Sequence, residues 1–107
     1  MIVIMDFASD ILNELINEKT GLNLYGNYSK NGQYVVDLND SNIYAKVYSA
    51  LDKNNDLEEL ADSNIISETV VSISYLYSSK NAQITLNADL DNFEYNLIIN
   101  VYEYGED

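Results

Sequence analysis

The sequence predicts an α+β domain: a five- or six-stranded antiparallel sheet, one N-terminal helix packed on a face, and a short acidic helix between strands 3 and 4. Three observations carry this reading. Residues 69–102 alternate apolar and polar side chains with the period of two that a half-buried strand needs. The only unambiguous apolar stripe at helical spacing lies near the N-terminus. A length of 107 residues suits one domain, 1–107, and suffices to bury about two-thirds of the unfolded surface without a disulfide or metal.

The first element is read from "DFASDILNELINEKTG". Phe7, Ile11, Leu12, Leu15 and Ile16 form its apolar stripe, Asp6 is placed as an N-cap, Lys19 falls in the last turn, and Gly21 terminates it. Next comes the hairpin "LNLYGNYSKNGQYVVDL". A two-residue Asn31-Gly32 turn would set Gly26 opposite Asp37 and mix the two faces. A three-residue loop, Lys30-Asn31-Gly32 with Gly32 left-handed, instead aligns Leu24, Gly26 and Tyr28 with Tyr34, Val36 and Leu38, and this register is the one expected.

Residues 42–51, "NIYAKVYSAL", satisfy two periods. A strand puts Ile43, Ala45, Val47 and Leu51 on one face; a helix makes a stripe of Ile43, Tyr44, Val47, Tyr48 and Leu51. Their β-branched and tyrosine content, and the short "NDSN" link before them, favour a third strand. Asn55 and Glu58 then have the spacing of a capping box, with Leu57 and Leu60 as apolar anchors, so a short helix is expected over about residues 56–63. Three strands complete the chain as a meander: Val71, Ile73, Tyr75 and Tyr77 share one face of the first, Ala82, Ile84, Leu86, Ala88 and Leu90 of the second, and Tyr95, Leu97, Ile99 and Val101 of the third.

Composition narrows the chemistry. The chain has no Cys and no His, which removes thiolate nucleophiles, Cys-ligated zinc and the commonest general base. The four-residue apolar run Ile2 to Met5 is too short for a signal peptide or a membrane span, so a cytoplasmic location is expected. Asp52, Asn54 and Asp56 match the first, third and fifth positions of a calcium-binding EF-hand loop. Leu57 and Ser63, however, stand where that loop needs Gly and a bidentate Glu, so no dedicated calcium site and no cofactor are expected. Asp89 with Asp91, and Glu58 with Glu59, are carboxylate pairs, but there is no Gly-rich phosphate loop and no nucleophile–base arrangement to accompany them. A non-enzymatic protein is the expectation.

Charge is the feature that remains. Asp and Glu total 18 against five Lys, with no Arg, for a formal net charge of −13. Nucleic acid and anionic membranes repel such a surface, so the expected partner is basic. Asp6, Asp10, Glu14 and Glu18 recur every fourth residue, and like charges at that spacing cost a helix a few tenths of a kcal/mol per pair. Further blocks lie at Asp52, Asp56, Glu58, Glu59 and Asp62, and at Asp89, Asp91 and Glu94, and these twelve residues are the candidate partner-binding set. Carboxylates at fixed spacing on a small rigid fold offer a phosphate-like array to a groove lined with Lys and Arg.

In size, charge, Asn- and Tyr-rich and Pro-free composition, and blocks such as "DLEELAD" and "DLDNFEY", the chain resembles the small acidic inhibitors made by phages and mobile elements. These include anti-CRISPR proteins that occupy the nucleic-acid channel of an RNA-guided nuclease. The resemblance is spread over the whole chain and rests on no motif. It implies an inhibitor that mimics nucleic acid and binds a host defence nuclease. An immunity protein or antitoxin against a basic nuclease toxin, and a phage adaptor whose charge serves solubility, have the same composition.

Overall fold

The computed structural model describes residues 6–60, 64–65 and 69–102. The N-terminal helix begins as Asp6–Leu12, continues through a π-helical stretch Asn13–Asn17, and closes with Glu18–Thr20. Gly21, at φ 77°, ends it in the left-handed conformation that glycine adopts without a steric penalty. Ile11, Leu12, Leu15 and Ile16 are buried as the apolar stripe predicts. Phe7 is not: it is 47% exposed, and Ala8 takes the inward position.

Asn17, in the π-helical stretch, fastens the chain that follows. Its Nδ2 donates to the Leu24 carbonyl at 2.9 Å, and its Oδ1 accepts from the Leu24 N–H at 2.9 Å. One amide side chain thereby supplies both partners that Leu24 would otherwise find in a strand. The hairpin then forms from β1 (Asn27–Tyr28) and β2 (Tyr34–Asp37). Tyr28 lies opposite Tyr34, and Gly32 is left-handed at φ 83°, which is the three-residue loop register that the sequence predicts.

Residues 42–51 are helix, not the third strand expected of them; the helix spans Ser41–Asp52. The chain turns out of β2 through Asn39, at φ 68°, with the Asp40 N–H donating to the Leu38 carbonyl at 2.7 Å. Asp40 Oδ1 then accepts from the Ile43 N–H at 2.9 Å and caps the new helix. The "NDSN" link is thus a helix start. Packing supplies the second reason. Six strands about 4.8 Å apart make a sheet roughly twice as wide as one helix, about 10–12 Å across, so one helix leaves half the apolar face wet. Val47 and Leu51 of the second helix are buried in that space, while Ala45, which a strand would have placed beside Ile43 and Val47, is exposed.

The short acidic helix expected over residues 56–63 is likewise not found in the part described. Glu58–Glu59 form β3 and pair with β5 (Val70–Tyr77), and the Leu60 N–H donates to the Ser74 carbonyl at 2.9 Å. Before it, Asn54 Oδ1 accepts from the Asp56 N–H at 2.9 Å, so Asn54 organises a turn where a helix cap was expected at Asn55. Residues 61–63 lie outside the described residues.

The last three strands are β5, β6 (Ala82–Asp89) and β7 (Glu94–Val101), paired as a meander. The sheet is open and antiparallel in the order β1-β2-β7-β6-β5-β3, with β4 (Asn64–Ile65) also on β5. Both helices pack on β7 and on each other. The core between helices and sheet holds Val36, Ile84, Leu86, Leu97 and Ile99 from strands, and Leu12, Ile16, Val47 and Leu51 from helices. The alternate strand residues, among them Ser74, Thr85, Asn87, Asn96 and Ile98, form the opposite face and stay partly exposed.

Candidate partner-binding surface

The fold sorts ten of the twelve predicted carboxylates into three patches; of the other two, Asp6 is placed only by its backbone and Asp62 lies outside the described residues. On the N-terminal helix, Asp10 and Glu18 are exposed, and Glu14 Oε2 lies 3.8 Å from Lys80 Nζ. That is the only ion pair among the described residues. Asp6 opens this helix. The patch belongs to the helical side of the sheet.

The second patch follows the C-terminus of the second helix. Asp52 is its last residue, Asp56 lies in the turn, and Glu58 and Glu59 make β3, all four exposed; Asp62 lies outside the described residues. The register puts Glu58 opposite Leu76 and Glu59 opposite Tyr75, so these neighbouring carboxylates point to opposite faces. Glu59 therefore shares the helical side with Tyr75, whose hydroxyl is buried and has no hydrogen-bond partner among the described residues. Burial pushes the Tyr75 pKa well above its ordinary value, and the nearby charges of Glu59 and Asp52 push it the same way. Burial also raises Tyr44, with Tyr48 and Tyr95 adding to the shift.

The third patch lies at one end of the sheet, on the face away from the helices. Asp89 pairs with Glu94 directly across β6 and β7, and Asp91 is exposed in the turn between them. Like charges directly opposite one another weaken a strand pair, so this placement is a cost to the fold. Asp37, which the sequence reading did not single out, joins them: β2 pairs with β7 so that Asp37 stands opposite Asn96, two residues from Glu94. No local signal could have placed it there, because β2 and β7 are about sixty residues apart. Asp89 also braces the turn, accepting from the Asn92 side-chain amide at 2.8 Å.

Two aromatic side chains flank this third patch. Phe93 is 75% exposed at the turn, and Tyr25 is 78% exposed just before β1. Between them, Val35, Asp37 and Asn39 line two adjoining depressions, one bordered by Tyr25 and Tyr28 and the other by Phe93 and Glu94. No lysine lines either one.

No known protein family, curated protein or solved structure matches this chain.

The lysines are gathered elsewhere. Lys19, Lys46 and Lys53 line one depression beside the C-terminal ends of the two helices, where Lys19 and the C-cap Lys53 offset the helix dipoles and Lys46 stands mid-helix. With Lys80 on Glu14, four of the five lysines lie on the helices or at the β5–β6 turn, and Lys30 sits in the β1–β2 loop. Among the described residues no three acidic side chains converge closely enough to hold a metal ion, and no helix is long and apolar enough to cross a membrane. The described members of the predicted set thus do not make one surface. The patches occupy both sides of the sheet; the first borders Phe7, and the third carries the two most exposed aromatic side chains, Phe93 and Tyr25.

Proposed function

We propose that this protein is a non-enzymatic inhibitor that covers the basic nucleic-acid-binding groove of another protein, with an RNA-guided defence nuclease of a bacterial host as the target class. One observation carries the proposal: the segregation of charge. Three of the five lysines crowd one depression at the helix ends, and a fourth is taken by Glu14. Asp37, Asp91 and Glu94 at the sheet end, and Asp52, Asp56, Glu58 and Glu59 beside β3, stand exposed with no cation paired to them among the described residues. A chain selected for solubility alone gains from mixing both signs over its surface, and this one keeps them apart. Charge of one sign on a small rigid body steers it to an oppositely charged groove and excludes nucleic acid from the same place.

The test is a cleavage assay with purified RNA-guided nucleases. Wild-type protein added before the nucleic acid should block cleavage, and nucleic acid added first should protect the nuclease. Raising salt from about 0.05 to 0.5 M should weaken inhibition on the order of tenfold or more, since the screening length shrinks several-fold. Reversing Asp37, Asp91 and Glu94 to Lys should weaken it by a comparable factor, and a second variant reversing Asp56, Glu58 and Glu59 tells which patch makes the contact. Inhibition that survives both sets of reversals would end the charge-mimic reading.

A further inference from the structure

We infer that the β6–β7 turn is a hydrophobic anchor, with Phe93 seated in an apolar socket inside the partner's basic groove. The inference rests on the inhibitor reading above and adds to it that the partner surface is not purely a phosphate site. Five described residues adopt positive φ: Gly21, Gly32, Asn39, Asn81 and Phe93. Four are the residue types that tolerate this conformation, and Phe93, at φ 54°, is the exception. A bulky residue there is disfavoured, so a reason is needed for its presence, and the interior offers none: Phe93 is 75% exposed, and its neighbour Leu90 is 49% exposed. The turn does not depend on the ring either, being closed by the Asn92 backbone and side-chain amides donating to Asp89, while the Leu90 N–H, donating to the Thr69 carbonyl at 2.7 Å, ties the end of β6 to the start of β5.

Phe93 shares its turn and strand ends with Asp89, Asp91 and Glu94, and lines a depression with Glu94 and Asp37 that adjoins the one bordered by Tyr25. An aromatic centre rimmed by unpaired charge is the arrangement of a binding hot spot, in which the apolar anchor supplies affinity and the rim supplies orientation. Its complement is a protein surface with an apolar recess rimmed by Lys or Arg. A bare nucleic-acid backbone site would use the carboxylates and leave Phe93 in water.

Two basic peptides of equal charge separate the terms: one of alternating Lys and Ser, and the same peptide with two Ser replaced by Leu, each titrated at about 0.05 M salt. Wild-type protein should bind the Leu-containing peptide on the order of tenfold more tightly, the worth of burying one aromatic face, with amide shifts centred on residues 90–94. Phe93→Gly and Phe93→Asn should abolish that advantage while still binding the Lys-Ser peptide, and should melt a few degrees higher than wild type because the backbone strain is relieved. Equal binding of both peptides by wild type, an advantage that survives in Phe93→Gly, or a lower melting temperature in both variants would overturn the anchor alone. Failure of either peptide to bind at low salt would instead overturn the charge-mimic reading beneath it.

Discussion

Tyr75 shows how a single side chain can work against the fold that holds it. Its ring completes the core, at 2% exposure, but its hydroxyl is sealed there without a hydrogen-bond partner among the described residues and feels the charges of Glu59 and Asp52. A buried unsatisfied hydroxyl costs about 1–3 kcal/mol. Tyr75→Phe should therefore stabilise the protein at neutral pH by on the order of 1 kcal/mol, read from urea denaturation. The pH dependence follows from the direction of the shift. Below pH 10 the hydroxyl is protonated in folded and unfolded chains alike, and its contribution is constant. Above pH 10 the unfolded chain ionises first, because the folded pKa is raised above 10.0, so stability falls as pH climbs toward the folded value. Tyr75→Phe should flatten this alkaline decline without removing it, since Tyr44 is shifted in the same direction. Loss of stability in Tyr75→Phe at pH 8 would show that the hydroxyl has a partner. Gly26 is the complementary case, a residue defined by what it lacks. A Cβ there would lie 2.5 Å from the Val35 carbonyl oxygen and 2.9 Å from Val36 Cγ2, so only glycine lets β1 approach β2 while the Tyr34 hydroxyl accepts from the Gly26 N–H at 2.9 Å.

At the scale of elements, the second helix depends on its start. Ile43, Val47 and Leu51 would share a face in either secondary structure, and its first turn contains no acidic residue to favour the helix dipole. The Asp40 cap and the tight turn at Asn39 commit the chain to helix. Asp40→Ala should cost about 1 kcal/mol, lower the melting temperature by several degrees, and speed amide exchange first in residues 41–44. Exchange that stays unchanged there would mean that packing of Val47 and Leu51 alone holds the helix. The edge strand β3 illustrates the opposite balance. Two glutamates paired to β5 are poor strand formers, yet they place charge on an edge that would otherwise invite another strand.

For the whole molecule, a net charge of −13 with one ion pair among the described residues means that folding concentrates like charge. Screening relieves that repulsion, so the melting temperature should rise as sodium chloride increases from about 0.02 to 0.5 M, even as partner binding weakens over the same range. The two responses have opposite signs and one cause. A melting temperature that falls with salt would show the acidic patches to be internally compensated, and the segregation argument would lose its force.

Much of the architecture was legible in the sequence because it is written in short periods. The helix stripe of Ile11, Leu12, Leu15 and Ile16, the inward faces of β5, β6 and β7, and the three-residue hairpin loop each depend on residues a few positions apart. The list of carboxylates was legible too, and so was the unbalanced charge. Their grouping was not. Asp37 meets Glu94 only because β2 pairs with β7, Glu58 and Glu59 become an edge strand only because β5 lies beside them, and Phe93 is marked out only by a backbone angle and an exposure. The sequence by itself determined the α+β class, the meander, the hairpin register and the sign of the surface, all of which follow from local spacing and composition. Tertiary structure decided which acidic residues share a face, and together with the local Asp40 cap it decided that residues 41–52 are helix, because a segment that fits two periods is settled by its start and by the apolar face it must cover, and distant residues become neighbours only when strands pair.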